Sequence, residues 1–392
     1  MKKLYILLVL LLGMTQMTPV RAAEADSVRI SLMTCSPGSE IYALFGHTAI
    51  RVEVPSRKID WVYNYGMFSF NTPNFILRFV TGETDYQLGI ISYPYFEAEY
   101  AGRGSYVVQQ ELNLLPDEKA RLVEILETNY LPENRTYRYN YFYDNCTTRA
   151  RDKIEESIRG KVVYPVARDA ATFRQIVHRF TDGHAWDEFG IDLCLGAEAD
   201  RAIDTRAQMF APFVMMDEAE GAVIRSADGS ERRLVKSTVR VVDPEPLQPE
   251  KGFPLSPLAC SLLVLALTLV LSWMEWKKGV RLWLFDAVLF AFQGLAGCIV
   301  AFLFFFSLHP TVGSNWLLAI LNPIPLVYLP WMIYKSVKGR KDLYHVGNAV
   351  ILTLFIVFWW LIPQKITLVI VPLALSLLVR SVTRLLVTSK KA

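Results

Sequence analysis

Apolar residues follow two rhythms along this chain, and the change falls near residue 258. From Ser27 to about Asp243, short runs alternate Val, Ile and Tyr with polar residues, the period-2 signature of half-buried strands. Two stretches in this part read as helices instead: Asp117 to Thr128, behind Pro116, and the residues that follow Cys146. In LFGHTAIRVEVPSRKIDWVYNYG two alternating runs flank a turn at Pro55 to Lys58, so Val54 faces Ile59, Val52 faces Trp61 and Ile50 faces Tyr63. These residues make one apolar face. His47, Ala49, Arg51, Glu53, Asp60, Val62 and Asn64 take the opposite face, with Asn64 the diagonal neighbour of His47. A slip of one residue would turn Asn64 away.

Beyond the change, five long apolar segments follow: about Leu258 to Trp273, Trp283 to Leu308, Trp316 to Tyr334, Leu343 to Leu361 and Ile366 to Val382. Each comes close to or exceeds the roughly 20 residues that span a bilayer. Between the two regions, residues 244–257 hold five prolines in fourteen positions and predict an extended linker. At the start, Lys2 and Lys3, the apolar run Leu4 to Leu12 and then Val20-Arg21-Ala22 predict a secretory signal cleaved after Ala22. The expected organisation is a signal at 1–22, an α+β exported domain at 23–243, the linker, an all-α bundle of about five transmembrane helices at 258–384, and a tail at 385–392.

Charge orients this arrangement. The loops with Lys277, Lys278 and Arg281 and with Lys335, Lys338, Arg340 and Lys341 are basic, as is the tail with Arg384, Lys390 and Lys391, whereas HPTVGSN and IPQK together carry one lysine. Basic loops face the cytoplasm. The first domain is therefore expected in the periplasm and the C-terminus in the cytoplasm, with the bundle in the inner membrane. A net charge of +3 over 392 residues is too small to argue for nucleic acid. The five cysteines, Cys35, Cys146, Cys194, Cys260 and Cys298, form no disulfide framework, although a Cys35–Cys194 pair stays open. No Cys or His cluster has zinc-ligand spacing, so no metal and no cofactor is expected.

The candidate chemistry centres on RYNYFYDNCTTRARD, residues 138–152. Asp144 and Asn145 are good helix N-caps, which places Cys146 at a helix N-terminus. There the unpaired N–H groups and the helix dipole favour a thiolate and can hold an oxyanion. A small buried cysteine opening an ordinary helix is the plainer alternative. A nucleophile needs a base, and the exported part offers His47, His178 and His184. Only His47 has a framing partner, Asn64, suited to fixing its tautomer. A strand-end histidine bonded to a loop carbonyl fits the same position. Arg138 and Arg149 are candidate contacts for a phosphate or carboxylate, or partners of local acids.

A histidine on a strand, a polar residue on the next strand and later a cysteine opening a helix resembles the papain-like constellation in permuted order, as in lecithin:retinol acyltransferase and permuted NlpC-like enzymes. CSPGSEIYALFGHTAIRV, WVYNYGMFSF, ENRTYRYNYFYDNCTTRARD, HPTVGSN and LNPIP resemble Lnb-type bacterial lipoprotein N-acyltransferases over nearly the whole mature chain. The resemblance implies a papain-like exported domain with Cys146 as nucleophile and His47 as base, Asn64 being the candidate orienter. It further implies a phospholipid acyl donor, a Cys146 thioester and a diacylated lipoprotein acceptor. His309, Asn315 and Asn322, in the outer loops, are then candidates for contact with head groups or the exported domain, a polar loop with helix caps being the plainer alternative. Two other readings stay open at this stage: a phospholipid hydrolase or cell-wall peptidase with the same Cys-His site, and a non-catalytic membrane receptor or assembly factor.

Overall fold

A computed structural model describes residues 28–165, 171–245 and 252–389. The signal expected at 1–22, together with Lys390 and Lys391, lies outside the described residues. The chain divides into two compact units, one drawn from Met1–Phe79, Glu83–Ala171 and Ile203–Glu250, the other from Val80–Gly82, Thr172–Ala202 and Lys251–Ala392.

The first unit is built on a seven-stranded antiparallel sheet. In chain order its first six strands are β1 (Arg29–Cys35), β2 (His47–Val54), β3 (Ile59–Met67), β4 (Asp85–Ser92), β5 (Val107–Leu112) and β6 (Thr136–Arg138). Across the sheet the order is Val235–Val242, β5, β1, β2, β3, β4, β6. The register of β2 on β3 pairs Val54 with Ile59, Val52 with Trp61 and Ile50 with Tyr63, as the alternation predicts. A single 3-10 turn at Pro55–Arg57, closed by Lys58 in the left-handed region at φ 54°, makes the reversal. Ile50, Val52 and Tyr63 are buried with Ile30 and Leu32 against Leu122 and Leu126 of the helix Pro116–Tyr130 and against Ala150 and Ile154 of the helix Cys146–Ser157. Trp61, expected on that apolar face, is 40% exposed, because burial begins only at Val62 along this strand.

The opposite face is covered as well. Met33, Cys35, Ala49 and Val62 pack with Tyr93, Phe96 and Tyr100 of the helix Tyr93–Gly102. Arg51 is accommodated there by two hydrogen bonds to Asp60, at 2.8 and 2.7 Å, and by lying over the Tyr93 ring at 3.4 Å. A charge on a covered face is tolerable when it is paired and stacked in this way.

In the second unit, among the described residues, five helices are long and apolar enough to cross a membrane: Pro257–Lys278, Trp283–Phe306, Trp316–Lys338, Leu343–Leu361 and Ile370–Thr388. The architecture is therefore an α+β sheet domain and an all-α bundle. The last helix runs well past the Val382 limit of its apolar run. It can do so because Arg380 and Arg384 are met by buried acids: Arg380 bonds Asp286 and Glu275, each at 2.6 Å, and Arg384 bonds Glu275 at 2.8 Å. The helices Phe173–Phe180 and Ala185–Cys194 belong to this unit too. They are held by Arg174, which bonds Asp192 at 2.6 Å and Asp200 at 2.9 Å.

Candidate active site

Cys146 is the first residue of its helix, and Asn145 is the N-cap. The Asn145 Oδ1 accepts from the N–H groups of Thr147 at 2.9 Å and Thr148 at 3.0 Å, while its Nδ2 donates to the carbonyls of Tyr141 and Phe210. The Thr148 hydroxyl completes a capping box by accepting from the Asn145 N–H at 2.8 Å. The cap narrows one expectation. Two N–H groups that sequence reasoning offered to an oxyanion are occupied by Asn145, and the Cys146 N–H is the one the cap side chain leaves aside.

His47 opens β2, and the chain reaches it through Gly46. Gly46 has φ 78°, and a Cβ there would sit 2.4 Å from the Cys35 carbonyl oxygen, so no other residue fits without displacing the strand. His47 Nε2 lies 3.1 Å from Asn64 Oδ1. With the amide oxygen accepting, Nε2 carries a proton and Nδ1 is left for the thiol. The imidazole and the Cys146 thiol lie near enough for each to act on the other's titration. Thus the structure brings Cys146, His47 and Asn64 together.

Electrostatics move the two groups in opposite directions. Burial, the largest influence on Cys146, pushes its thiol up, but the charge and hydrogen bond of His47, the Thr48 N–H and the Thr147 hydroxyl together outweigh it, and the thiol ends below its ordinary value. For His47, burial again opposes the charged form, while the Cys146 thiolate, its hydrogen bond and the Asn64 carbonyl raise the imidazole above its ordinary value. The two shifts, thiol down and imidazole up, both run toward a thiolate–imidazolium pair.

Two residues that sequence reasoning missed tie the halves together. The Thr48 and Thr147 hydroxyls are 3.0 Å apart and fully buried, linking the residue after His47 to the residue after Cys146. Thr147 Oγ1 is also 3.8 Å from the Cys146 sulfur. Adjacency in GHT and NCTT was the available signal, and it says nothing until the strand and helix are known to meet.

The other candidates have protein partners. Arg138 bonds Asp85 at 2.7 Å. Arg149 makes two bonds to Asp144, at 2.6 and 2.8 Å, and lies over the Tyr137 ring at 3.6 Å. Asn315, in the helical unit, donates to the Leu193 carbonyl at 2.7 Å and accepts from the Leu317 N–H and from Gln364. The His309 N–H donates to the Ser307 hydroxyl. Cys35, buried in the sheet unit, and Cys194, half-buried in the helical unit, are both free thiols, so the pairing left open by the sequence is not formed. Among the described residues, His178, Glu188 and Asp192 have donor atoms within 4.8 Å of one another. Their own bonds account for the grouping: Asp192 accepts from Arg174 and from His178, and Glu188 from the Thr181 hydroxyl.

Comparison with known families gives two matches. Residues 16–179 match the Lnb N-terminal periplasmic domain, and residues 248–392 match the Lnb transmembrane domain. No characterised protein and no solved structure matches the chain.

Proposed function

Since this chain belongs to the Lnb family and carries both its periplasmic and its transmembrane domain, we propose that it is a lipoprotein N-acyltransferase of the inner membrane. Membership supports the coarser statement, a membrane-anchored protein of the lipoprotein-modifying kind with a periplasmic N-terminal domain. The observation that carries the finer reading is the His47–Asn64 hydrogen bond beside a cysteine that opens a helix, with the imidazole and thiol acting on each other's titration.

In this reading His47 takes the Cys146 proton, and the thiolate attacks the carbonyl carbon of a phospholipid ester. The C–O bond breaks, His47 protonates the departing lysophospholipid oxygen, and the acyl chain rests on sulfur as a thioester. The free α-amine of an N-terminal diacylglyceryl-cysteine then attacks the same carbonyl. His47 takes the amine proton and passes it to the leaving sulfur as the C–S bond breaks, so an amide forms and the thiol is restored. Asn64 holds the imidazole with Nδ1 toward sulfur, and the Cys146 N–H supplies an oxyanion donor. Arg149, bonded to Asp144 beside the N-cap Asn145, acts as a positioning residue, while Arg138 and Asn315 are engaged by partners elsewhere. The membrane bundle keeps the site at the bilayer, where both acyl-bearing substrates reside, and the C-terminus is placed in the cytoplasm.

The test is mass spectrometry of a lipoprotein's N-terminal peptide from cells lacking other N-acyltransferases. A third acyl chain is expected with the intact protein and absent with Cys146→Ala. A diacylated peptide in both cases rejects the transferase, and released fatty acid would then identify a hydrolase.

A further inference from the structure

The sheet unit exposes a group of large apolar side chains on two chain segments that run directly into the site. One is the loop before Gly46 and His47, where Tyr42 is 57% exposed and Ile41 is exposed beside it. The other follows β3, where Phe70 is 61% exposed, and continues into the helix Phe75–Thr81, where Ile76 is 75% exposed and Leu77 is exposed. The two segments touch: the Tyr42 ring packs edge-on against Phe68 and Phe70, and both of those pack against Phe75. A contiguous exposed apolar patch of this kind is uncommon on a surface that faces only water.

Two further observations say what covers it. From the patch an unbroken line of rings leads inward, Phe75 to Phe68 to Tyr86 to Tyr139, at centroid separations of 5.3, 4.9 and 4.1 Å. Its inner end lies in the apolar core on which Cys146 also packs. At its outer end the helix that carries Ile76 and Leu77 runs by a peptide bond into Val80–Gly82, a segment of the helical unit. There the Ser307 hydroxyl donates to the Val80 carbonyl at 2.7 Å and the Leu308 N–H to the Thr81 carbonyl at 2.8 Å, just past the end of the membrane helix Trp283–Phe306. At about 1.5 Å per helical residue, Ile76 is within about 10 Å of that anchored point along the chain. A water-filled environment would strand these side chains, and a lipid layer would bury them.

We propose that this rim, formed by Ile41, Tyr42, Phe70, Ile76 and Leu77, sits in the outer leaflet of the bilayer and receives the acyl chain of the donor phospholipid on its way to Cys146. The lipid contact stands by itself; the delivery of an acyl chain rests on the transferase reading above.

The experiment uses the full chain in nanodiscs of phosphatidylethanolamine and phosphatidylglycerol, with the photoreactive residue benzoylphenylalanine placed at Phe70 or Ile76, and at exposed Val239 on the edge strand as the control. Phospholipid adducts, read by mass spectrometry after irradiation, are expected at 70 and 76 in clear excess over 239. Adduct yields equal to the control, or crosslinks to a second protein chain instead of lipid, overturn the proposal. An Ile76→Asp, Leu77→Asp double variant is expected to lose transfer from nanodisc lipid by about tenfold, since carboxylates are poorly tolerated in an apolar layer. It should keep the wild-type rate of Cys146 alkylation by iodoacetamide, which shows an intact site. Adducts with unchanged transfer overturn the delivery role. Adducts in a protein that transfers no acyl chain at all reject the transferase and leave the lipid surface standing.

Discussion

At the scale of single residues, the balance at Cys146 is the most exposed to test. Burial is the largest influence on the thiol and acts upward, and only the surrounding hydrogen bonds and the His47 charge bring it below its ordinary value of 9.0. Removing His47 takes away the largest of the lowering influences and leaves burial in place. The sign follows: the pH midpoint for alkylation of Cys146 by iodoacetamide lies below 9.0 in the intact protein and rises in His47→Ala, because the thiolate is the reacting form. Coincident midpoints would mean that the imidazole does not hold the thiolate. The sequence made His47 and Cys146 legible for a local reason: each sits beside its own structural cue, a strand start and an N-cap. Thr48 and Thr147 were not legible as a pair, since nothing in either segment announces that their hydroxyls meet.

At the scale of elements, the hairpin of β2 and β3 carries the site's precision. Its register was readable because a short turn fixes the pairing and one face had to be apolar, so Asn64 fell diagonal to His47 without a structure. The strand Val235–Val242 was not readable as a sheet neighbour of β5. Its residues alternate only loosely, and pairing across so long a stretch of chain leaves no local mark. What the hairpin cannot fix by itself is where β2 begins, and that falls to Gly46. Gly46→Ala adds a Cβ 2.4 Å from the Cys35 carbonyl oxygen in a left-handed backbone conformation. The left-handed conformation alone costs about 1–2 kcal/mol, before the clash is relieved. The strand should keep its pairing beyond its first residues while His47 shifts off the thiol. The expected result is an unchanged far-UV circular dichroism spectrum with a Cys146 alkylation midpoint raised as in His47→Ala. A midpoint equal to wild type would show that the site tolerates a moved strand start.

At the scale of the whole molecule, the spans were legible because a bilayer demands long apolar runs, whereas the polar groups that lock the bundle were legible only in part. The pattern singles out Asp286 and Gln293 within the second span but gives no reason to single out Arg380, since a basic residue near the end of a span reads as a flank. In the structure Arg380 is fully buried between Asp286 and Glu275, with Ser272 as a further acceptor at 3.0 Å, and Arg384 shares Glu275. Two guanidinium and two carboxylate groups make a formally neutral cluster that joins the first, second and last membrane helices. Such a cluster is weak evidence of net stabilisation, because desolvating four charges offsets much of their attraction. Breaking it is a different matter. Arg380→Met leaves two buried carboxylates facing one arginine, and the loss of one partner from a buried network costs roughly 3–5 kcal/mol. A marked fall in the thermal unfolding temperature of the detergent-solubilised full chain is expected, and part of it should return when Asp286→Asn is added, which removes the charge left without its main partner. If Arg380→Met unfolds at the wild-type temperature, the cluster is not what joins these helices, and their packing must rest on close apolar contact alone.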